Sequence, residues 1–221
     1  MSKWVAITGA ARGLGKELAL KFAREKYNLI LHARDDETLR RIKHECESLK
    51  VEVEIFIGDL RSKEVVETFG DFALLKDPSI IINNAGVPCP GLPLEELKPD
   101  DIESLIQVNL IAPIELSRIF YKHFATKKNG TIININSLVG IEPKKLRSVY
   151  TAVRYGLRGF TLALSLEAAD KGLRIFGVYP SRIKSRPEYQ YGFETLEVAN
   201  RLYDYYRNEL GNELVLDGRP K

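Results

Sequence analysis

The sequence predicts a doubly wound α/β fold, in which a parallel sheet of about seven strands carries helices on both faces. Three observations predict it: seven short β-rich runs, segments of helical periodicity between them, and a glycine-rich turn directly after the first run. Strands that alternate with helices of roughly 12 to 25 residues indicate repeated βαβ units, because parallel strands need long crossover connections. Ligands of such sheets bind beyond the carboxyl ends of the strands.

The predicted strands are short runs rich in valine and isoleucine. They are WVAIT (4–8), NLILHA (28–33), VEVEIFI (51–57), IIIN (80–83), GTIININ (130–136), RIFGVY (174–179) and ELVLD (213–217). Between them, apolar residues recur about every 3.6 positions, which is the helical period. Examples are Leu14, Leu18, Leu20 and Phe22, and later Ile102, Leu105, Ile106, Leu110 and Leu116. Asp36 is the expected N-cap of the helix that contains Leu39 and Ile42.

Length and composition favour one domain over residues 1–221. A chain of 221 residues with 44% hydrophobic residues can bury a single core. The net charge is only +3 and no apolar run has the length of a membrane span, so we expect neither a nucleic-acid nor a membrane partner. Cys46 and Cys89 have no paired spacing, and the three histidines share no metal-ligand spacing. We therefore expect no disulfide, no metal and a cytoplasmic location.

The turn after the first strand has the composition of a phosphate-binding loop. It is TGAARGLG (8–15), with glycines at positions 9, 13 and 15. Glycine lets the backbone approach a pyrophosphate closely, and the helix that follows offers unpaired N–H groups at its N-terminus. The position between a first strand and a first helix favours a Rossmann-type dinucleotide site over an ordinary tight turn.

The end of the second strand favours NADP(H) over NAD(H). NAD sites usually place an acidic residue there to bind the ribose hydroxyls, whereas an arginine accommodates the 2′-phosphate of NADP. The strand ends in Ala33, Arg34 follows it, and Arg12 in the glycine loop is a second candidate cation. Asp35 and Asp36 are the counterargument, since either carboxylate could turn toward a ribose.

A tyrosine and an arginine, Tyr150 and Arg154, lie four residues apart in YTAVR (150–154). This spacing places both side chains on one face of a helix. A free phenol holds its proton at neutral pH, and a fixed cation beside it would ease the loss of that proton. The residues alone leave two interpretations open: a catalytic pair, or a packed tyrosine beside a surface arginine.

Further motifs follow the glycine loop: GDL (58–60), NNAG (83–86), VNL (108–110) and INSLVG (135–140). Together they resemble the short-chain dehydrogenase/reductase family, and 3-oxoacyl-carrier-protein reductases in particular, from Lys3 to about Gly218. The resemblance implies a coenzyme site formed by Gly9, Arg12, Gly13, Leu14, Gly15, Arg34, Asp59, Leu60, Asn84, Ala85 and Gly86. It implies Asn109, Ser137, Tyr150 and Arg154 as the catalytic set, with Tyr150 and Arg154 also in contact with the coenzyme.

The sequence departs from the family in three ways. Position 154 is arginine where relatives usually have lysine; arginine keeps the charge but does not readily lose a proton. YPSRIKS (179–185) replaces the usual proline-glycine, so Ser181 adds a side chain beside the expected nicotinamide. The resemblance still implies coenzyme contacts from Pro180, Ile183 and Ser185. The segment before the last helix is short, which implies an open substrate site or one that a partner subunit covers.

The expected function is an NADP(H)-dependent oxidoreductase that transfers hydride between nicotinamide and a small-molecule carbonyl or secondary alcohol. The alternative is a non-catalytic or impaired NADP-binding or scaffold protein, because the usual lysine is Arg154. Basic residues beside the site form either a solvated rim or a recognition surface for an anionic or carrier-linked substrate: Lys144, Lys145, Arg147, Arg182, Lys184 and Arg186. Relatives pair the helices of 100–126 and 148–170 across a two-fold axis, which implies a homodimer or homotetramer.

Overall fold

The computed structural model describes residues 3–184 and 191–219. The strands are β1 (Trp4–Thr8), β2 (Asn28–Ala33), β3 (Val53–Ile57), β4 (Ile80–Asn83), β5 (Gly130–Ile135), β6 (Leu173–Pro180) and β7 (Glu213–Leu216). They form one sheet in the order β3-β2-β1-β4-β5-β6-β7, with every neighbouring pair parallel. The predicted strands are all present, with ends that differ from the prediction by one or two residues at most. The order reverses between β1 and β4, which confirms the doubly wound fold.

The helices of the described chain are α1 (Gly13–Arg24), α2 (Asp36–Glu47), α3 (Lys63–Leu74), α4 (Pro99–Ile106), α5 (Ala112–Lys127), α6 (Ser148–Ala168) and α7 (Thr195–Arg207). On one face of the sheet, α1, α2 and α7 bury Phe22, Leu39 and Leu202 in one apolar cluster. On the other face, α3 and α5 bury Phe69 and Phe120 in a second. Strands covered from both sides are apolar throughout, which explains the unbroken run IIIN. None of the helices in these ranges is long and apolar enough to cross a membrane.

The N-cap of α2 is Asp35, so the expectation of Asp36 is wrong by one residue. Asp35 has an extended backbone, and its carboxylate accepts the backbone N–H of Thr38 at 2.7 Å. Asp36 is already inside the first turn, where its carboxylate pairs with Arg40 four residues later at 2.8 Å. Two adjacent aspartates offer the same capping chemistry, and the backbone conformation decides between them.

The carboxyl ends of β1 and β4 are tied together where the strand order reverses. Oγ1 of Thr8 accepts the backbone N–H groups of Asn84 and Ala85, both at 3.0 Å. Nδ2 of Asn84 donates to the carbonyls of Thr8 and Gly9 at 2.9 and 3.1 Å. These bonds hold the loop after β1 against the loop after β4, in the crevice where open parallel sheets bind ligands.

The chain between α4 and α5 is not the single regular helix expected over 100–126. Gln107–Ile111 form one π-helical turn, and Pro113 follows in the first turn of α5. Proline has no N–H and its ring clashes with the carbonyl four residues earlier, here that of Asn109, so no regular helical hydrogen bond forms to that carbonyl. The wider turn accommodates the proline and holds Asn109 fully buried beneath the loop after β4.

The free energy of unfolding is expected to decrease when the pH is lowered, because of His32. This residue of β2 is buried and only 2% exposed. Its Nε2–H donates to the carbonyl of Gly58 at 3.1 Å, whereas Nδ1 is buried without a partner. Burial lowers the pKa of His32 from 6.5 to about 4. Between these values the unfolded chain binds a proton that the folded chain does not. The free energy of unfolding therefore decreases as pH falls through this window, by about 3 kcal/mol in total.

Urea unfolding of the wild type and of His32→Gln at several pH values between 7 and 4 checks this expectation. Glutamine keeps a donor for the carbonyl of Gly58 but does not titrate. The wild type should lose about 3 kcal/mol more than the variant over this range. Equal pH dependence in the two proteins would contradict the assignment.

Candidate active site

At Gly9 and Gly15 of the glycine loop after β1, a side chain would clash with neighbouring atoms. Gly9 has a φ of +68°, and a Cβ added there would lie 2.8 Å from Cα of Ala85. A Cβ on Gly15 would lie 2.1 Å from the carbonyl oxygen of Gly9. Both contacts are too short for a side chain, so these glycines let α1, which starts at Gly13, begin against the loop after β4.

The N-terminus of α1 fits a pyrophosphate. Its N-cap, Arg12, makes no side-chain capping bond, and the first turn has no acidic residue. By contrast, Asp35 caps α2 and Ser62 caps α3, each accepting a backbone N–H. The first N–H groups of α1 have no side-chain acceptor of this kind and are available to phosphate oxygens. Leu14, in the same turn, is 7% exposed and belongs to the core, so only its backbone can face a coenzyme.

Two exposed arginines and two engaged aspartates lie near the end of β2. Arg12 and Arg34 are exposed, whereas both neighbouring aspartates are engaged within α2. The hydrogen bonds from Thr38 lower the pKa of Asp35 below its usual value. A capping carboxylate that turned toward a ribose would leave the N–H of Thr38 without its acceptor.

Asp59, the expected adenine contact, lies at the carboxyl edge beside β3. Its carboxylate is 2.7 Å from Arg61 and 3.7 Å from Arg34. The hydrogen bonds from Arg61 hold the pKa of Asp59 below its usual value. Leu60 is 4% exposed and packs in the core, so it too could meet a coenzyme only through its backbone.

The loop after β4 connects the glycine loop with the catalytic candidates. Asn84 and Ala85 are bonded to Thr8, as described above. Gly86 follows them and is exposed, and a Cβ there would lie 2.7 Å from Oδ1 of Asn109. NNAG therefore borders both the glycine loop and the π-helical turn that carries Asn109.

Ser137 follows β5 and precedes the short 3-10 turn Leu138–Gly140, which packs on α6. Its Oγ accepts the backbone N–H of Val139 at 3.3 Å. A hydroxyl that accepts in this way keeps its own proton free to donate elsewhere. Ser137 is partly exposed, so that proton can reach a bound molecule.

Tyr150 and Arg154 lie side by side in the first two turns of α6, as their spacing predicts. The guanidinium carbon of Arg154 is 4.9 Å from the centroid of the Tyr150 ring. Tyr150 is partly exposed, whereas Arg154 is only 7% exposed. The arginine is therefore not the surface residue of the second interpretation, and the tyrosine has a buried cation at its ring.

The guanidinium of Arg154 is directed into the protein. Nη1 donates to the carbonyl of Ile135 at 3.0 Å and Nη2 donates to Oδ1 of Asn109 at 3.1 Å. Nδ2 of Asn109 donates in turn to the carbonyl of Val87 at 3.1 Å. Nε of Arg154 is buried without a partner. The arginine thus joins α6 to β5 and to the π-helical turn.

The loop after β6 accommodates Ser181 by turning its hydroxyl toward the chain end. Oγ accepts the backbone N–H of Gly218 at 3.0 Å, so the extra side chain is engaged by the segment after β7. Pro180 ends β6 and is buried, and Ile183 forms a bridge with Phe193. Ser185 lies outside the described residues.

The basic residues expected beside the site do not form one free cluster. Lys184 pairs with Glu194 at 2.9 Å, and the guanidinium of Arg182 lies 4.4 Å from the centroid of the Tyr191 ring. The loop after β5 carries the exposed Lys144 and Lys145 and the partly exposed Arg147, and Arg186 lies outside the described residues.

Three residues with functional contacts were missed by sequence reasoning. Thr8 ties the two loops at the switch point, Arg61 holds Asp59, and Asn136 bonds the loop that carries Ser137. Position within a motif was the available signal: Thr8 opens the glycine loop, and Asn136 directly precedes the serine. Among the described residues, no group of three or more His, Cys, Asp or Glu side chains could hold a metal ion.

Known proteins with similar sequences are oxidoreductases. A family profile described as short chain dehydrogenase matches residues 3–190. An NADP-dependent 3-hydroxy acid dehydrogenase of Schizosaccharomyces pombe is 34% identical over 191 residues, which cover 83% of this chain and 72% of the relative. The 3-oxoacyl-[acyl-carrier-protein] reductase FabG of Thermotoga maritima is 29% identical over 181 residues, covering 81% and 73%.

Some relatives are much longer than this chain. The rat 17-beta-hydroxysteroid dehydrogenase type 3 is 29% identical over 187 residues, 84% of this chain but only 61% of the relative. Among solved structures, a metagenomic short-chain oxidoreductase in complex with NADP superposes with a TM-score of 0.88 at 29% identity, covering 99% of this chain and 98% of that one. Because the family profile covers most of the sequence and the sheet order and glycine loop agree with it, this chain belongs to the short-chain dehydrogenase family.

Proposed function

We propose that this chain is an NADP(H)-dependent oxidoreductase that interconverts a carbonyl compound and a secondary alcohol. The observation that carries the proposal is the pairing of Tyr150 with Arg154 on α6, the helix on which the turn after Ser137 packs. Asn109 and Gly86 connect this group to the glycine loop. A hydroxyl donor, a phenol and a cation beside a dinucleotide loop are the groups that carbonyl reduction requires.

In the proposed reduction, the carbonyl carbon would accept a hydride that NADPH would supply when bound. Tyr150 gives its hydroxyl proton to the carbonyl oxygen, which becomes the alcohol. Ser137 donates a hydrogen bond to the same oxygen and polarises the carbonyl. The positive charge of Arg154 stabilises the phenolate that Tyr150 leaves behind. In the oxidation of an alcohol, each proton moves in the opposite direction.

Arg154 contributes charge and geometry in this mechanism rather than a proton. A guanidinium does not readily give up a proton, so it is unsuited to relay protons as an ammonium group can. Its direct hydrogen bond to Asn109 holds the cation in place beside the ring. Tyr150 therefore exchanges its proton with solvent by a route that does not use the side chain at 154.

The inward direction of Arg154 also favours a second candidate function, a chain that binds NADP(H) without turning over a substrate. Both Nη atoms already serve protein acceptors, and Nε is buried without a partner. In that case the arginine would be a structural bridge, and the coenzyme would be gripped less firmly at the nicotinamide ribose.

A turnover screen distinguishes the two functions. Purified protein is mixed with NADPH or NADH and with neutral ketones, diketones and 3-oxo acids, and loss of the reduced nicotinamide absorbance is followed. We expect NADPH oxidation with at least one carbonyl class. Tight NADPH binding in a fluorescence titration, with no turnover of any compound, would favour the non-catalytic alternative.

We further propose an anionic or carrier-linked carbonyl substrate. The exposed Lys144 and Lys145, close to Arg147 on the loop after β5, support it, because clustered cations attract and orient anions. The names of the yeast and Thermotoga relatives, a 3-hydroxy acid dehydrogenase and an acyl-carrier-protein reductase, point the same way. In the screen, a 3-oxo acid should have a higher kcat/KM than its neutral methyl ester, and the difference should shrink at high salt.

The preference for NADP(H) is expected to depend on Arg34. Changing Arg34 to alanine removes a charge-assisted contact to the 2′-phosphate, which contributes about 1.5–3 kcal/mol. KM for NADPH should therefore rise at least about tenfold, while KM for NADH stays within about twofold. Arg40→Ala is the matched control, because Arg40 is an exposed arginine of α2 that pairs with Asp36. A parallel rise for both coenzymes would contradict a role in discrimination.

The protein is also expected to form a homodimer or homotetramer. Exposed apolar side chains on the helical layer of α4 to α6 support this, namely Ile106, Ile111, Tyr155 and Leu166 at 38, 38, 41 and 77% exposure. Light scattering at micromolar concentration should give two or four times the mass of one chain, and the mass of a single chain would contradict it. The cytoplasmic location remains part of the proposal on the sequence grounds given above, and cell fractionation tests it.

A further inference from the structure

The side chain of Asn136 lies between the end of β5 and α6. It is 4% exposed and belongs neither to the coenzyme site nor to the catalytic set proposed above. Its Oδ1 accepts the backbone N–H of Ser137 at 2.8 Å, and its Nδ2 donates to the backbone carbonyl of Arg154 at 3.0 Å. One carboxamide thus joins the loop that carries Ser137, here called the serine loop, to the turn of α6 that carries Arg154.

Gly140 also lies where the serine loop packs against α6. A Cβ there would lie 2.8 Å from Oδ1 of Asn136 and 2.9 Å from the carbonyl oxygen of Arg154. An amino acid with a Cβ at position 140 would therefore keep the turn Leu138–Gly140 from approaching α6 this closely. The loop that carries Ser137 is therefore held on α6 by the hydrogen bonds of Asn136, by the lack of a side chain at position 140 and by Tyr155 of α6, whose hydroxyl donates to the carbonyl of Ile141.

The contact between the serine loop and α6 bears on the distance between the two hydroxyls of the proposed reaction, those of Ser137 and Tyr150. Tyr150 lies one turn before Arg154 on α6, whereas Ser137 comes from the loop after β5. Ser137 and Tyr150 are thirteen positions apart in the sequence, so the backbone between them does not by itself fix the distance between their side chains. Both hydroxyls must reach one substrate oxygen. A carboxamide presents an acceptor and a donor on adjacent atoms, which suits it to bridge a backbone N–H on one element and a backbone carbonyl on another.

We propose that Asn136 is a positioning residue that sets the distance between the hydroxyls of Ser137 and Tyr150. The expected effect on kcat rests on the proposed oxidoreductase function, whereas the expected effect on the position of the serine loop does not. Loss of the bridge should let the serine loop shift on α6. A misplacement of about 1 Å at a reacting centre costs about a hundredfold in rate, so even a smaller shift should be measurable.

Two variants and one control test the proposal. Asn136→Ala removes both hydrogen bonds, and Gly140→Ala pushes the turn away from α6 while leaving the carboxamide present. The control is Asn134→Ala, because Asn134 is also fully buried and also bridges two elements: its Oδ1 accepts from Nδ2 of Asn83 on β4 at 2.8 Å, and its Nδ2 donates to Oγ1 of Thr161 on α6 at 2.9 Å. Thr161 lies two helical turns beyond Arg154, so this control loses a similar interaction away from the reacting groups.

Both test variants should lower kcat at least about tenfold, with KM and the dissociation constant for NADPH within about twofold of the wild type. The control should lose stability but keep kcat within about twofold. Amide hydrogen exchange over residues 136–141 should become faster in both test variants than in the control. A kcat for Asn136→Ala equal to that of the control, or unchanged exchange over 136–141, would overturn the proposal. If the wild type turns over nothing, the proposed function fails, and the exchange measurement still decides whether Asn136 holds the serine loop.

Discussion

Tyr150→Phe is expected to lower kcat by about 1,000-fold, because the variant keeps the ring but has no proton to give to the carbonyl oxygen. General acid–base groups contribute about 100- to 10,000-fold, and a 1,000-fold loss corresponds to about 4 kcal/mol of transition-state stabilisation. The phenyl ring can keep its place beside the guanidinium of Arg154, 4.9 Å from the ring centroid. The dissociation constant for NADPH should therefore change by less than about threefold. Steady-state kinetics and a fluorescence titration measure the two quantities.

Tyr121→Phe is the matched control for this variant. Tyr121 lies on α5, is partly exposed, and donates its hydroxyl to the carbonyl of Glu167 at 3.0 Å. Removing that hydroxyl should cost about 1 kcal/mol of stability at most and leave kcat within about twofold. If Tyr150→Phe kept more than a tenth of the wild-type kcat, the phenol would not be the proton donor and the mechanism would have to be abandoned.

Arg154→Met is expected to lower kcat about 100-fold while the free energy of unfolding changes little. The charge that favours the phenolate is lost, which accounts for the effect on rate. For stability, two opposing terms nearly cancel. The carbonyl of Ile135 and Oδ1 of Asn109 lose their donor, at about 1–3 kcal/mol each. In return, methionine removes a buried cation that has no carboxylate within ion-pair distance among the described residues, which relieves several kcal/mol of desolvation cost.

Arg158→Met gives the opposite pattern and is the control on the same helix. Arg158 lies one turn later and pairs with Glu213 at 2.8 Å, with about a third of its side chain exposed. Its loss should cost about 1 kcal/mol of stability and leave kcat unchanged.

Arg154→Lys should recover part of the kcat that Arg154→Met loses, since an ammonium restores the charge.

Two outcomes would contradict the role proposed for Arg154. A loss of more than about 4 kcal/mol of stability in Arg154→Met, with kcat of the folded fraction unchanged, would make the arginine a structural bridge. An inactive wild type that gains turnover on Arg154→Lys would identify the non-catalytic alternative. Urea unfolding and kinetics on the same preparations separate these cases.

Local patterns in the sequence determined the strands, the glycine loop and the pairing of Tyr150 with Arg154. β-rich runs such as IIIN, a glycine turn between a strand and a helix, and a spacing of four residues each depend on neighbours in the chain. The same local signals were ambiguous where two residues offered equal chemistry, as with Asp35 and Asp36 at the start of α2. They were misleading between 100 and 126, where Pro113 forces the π-helical turn that holds Asn109.

The sequence by itself determined the family, the parallel sheet and the identity of the candidate catalytic residues. Only the tertiary structure decided what those residues contact: Arg154 with Asn109 and Ile135, Ser181 with Gly218, and Asn136 with the carbonyl of Arg154. The reason is physical. Secondary structure follows from periodicity and backbone preferences over a few residues, whereas a buried polar group bonds to whichever donor or acceptor the packing of distant segments brings within about 3 Å.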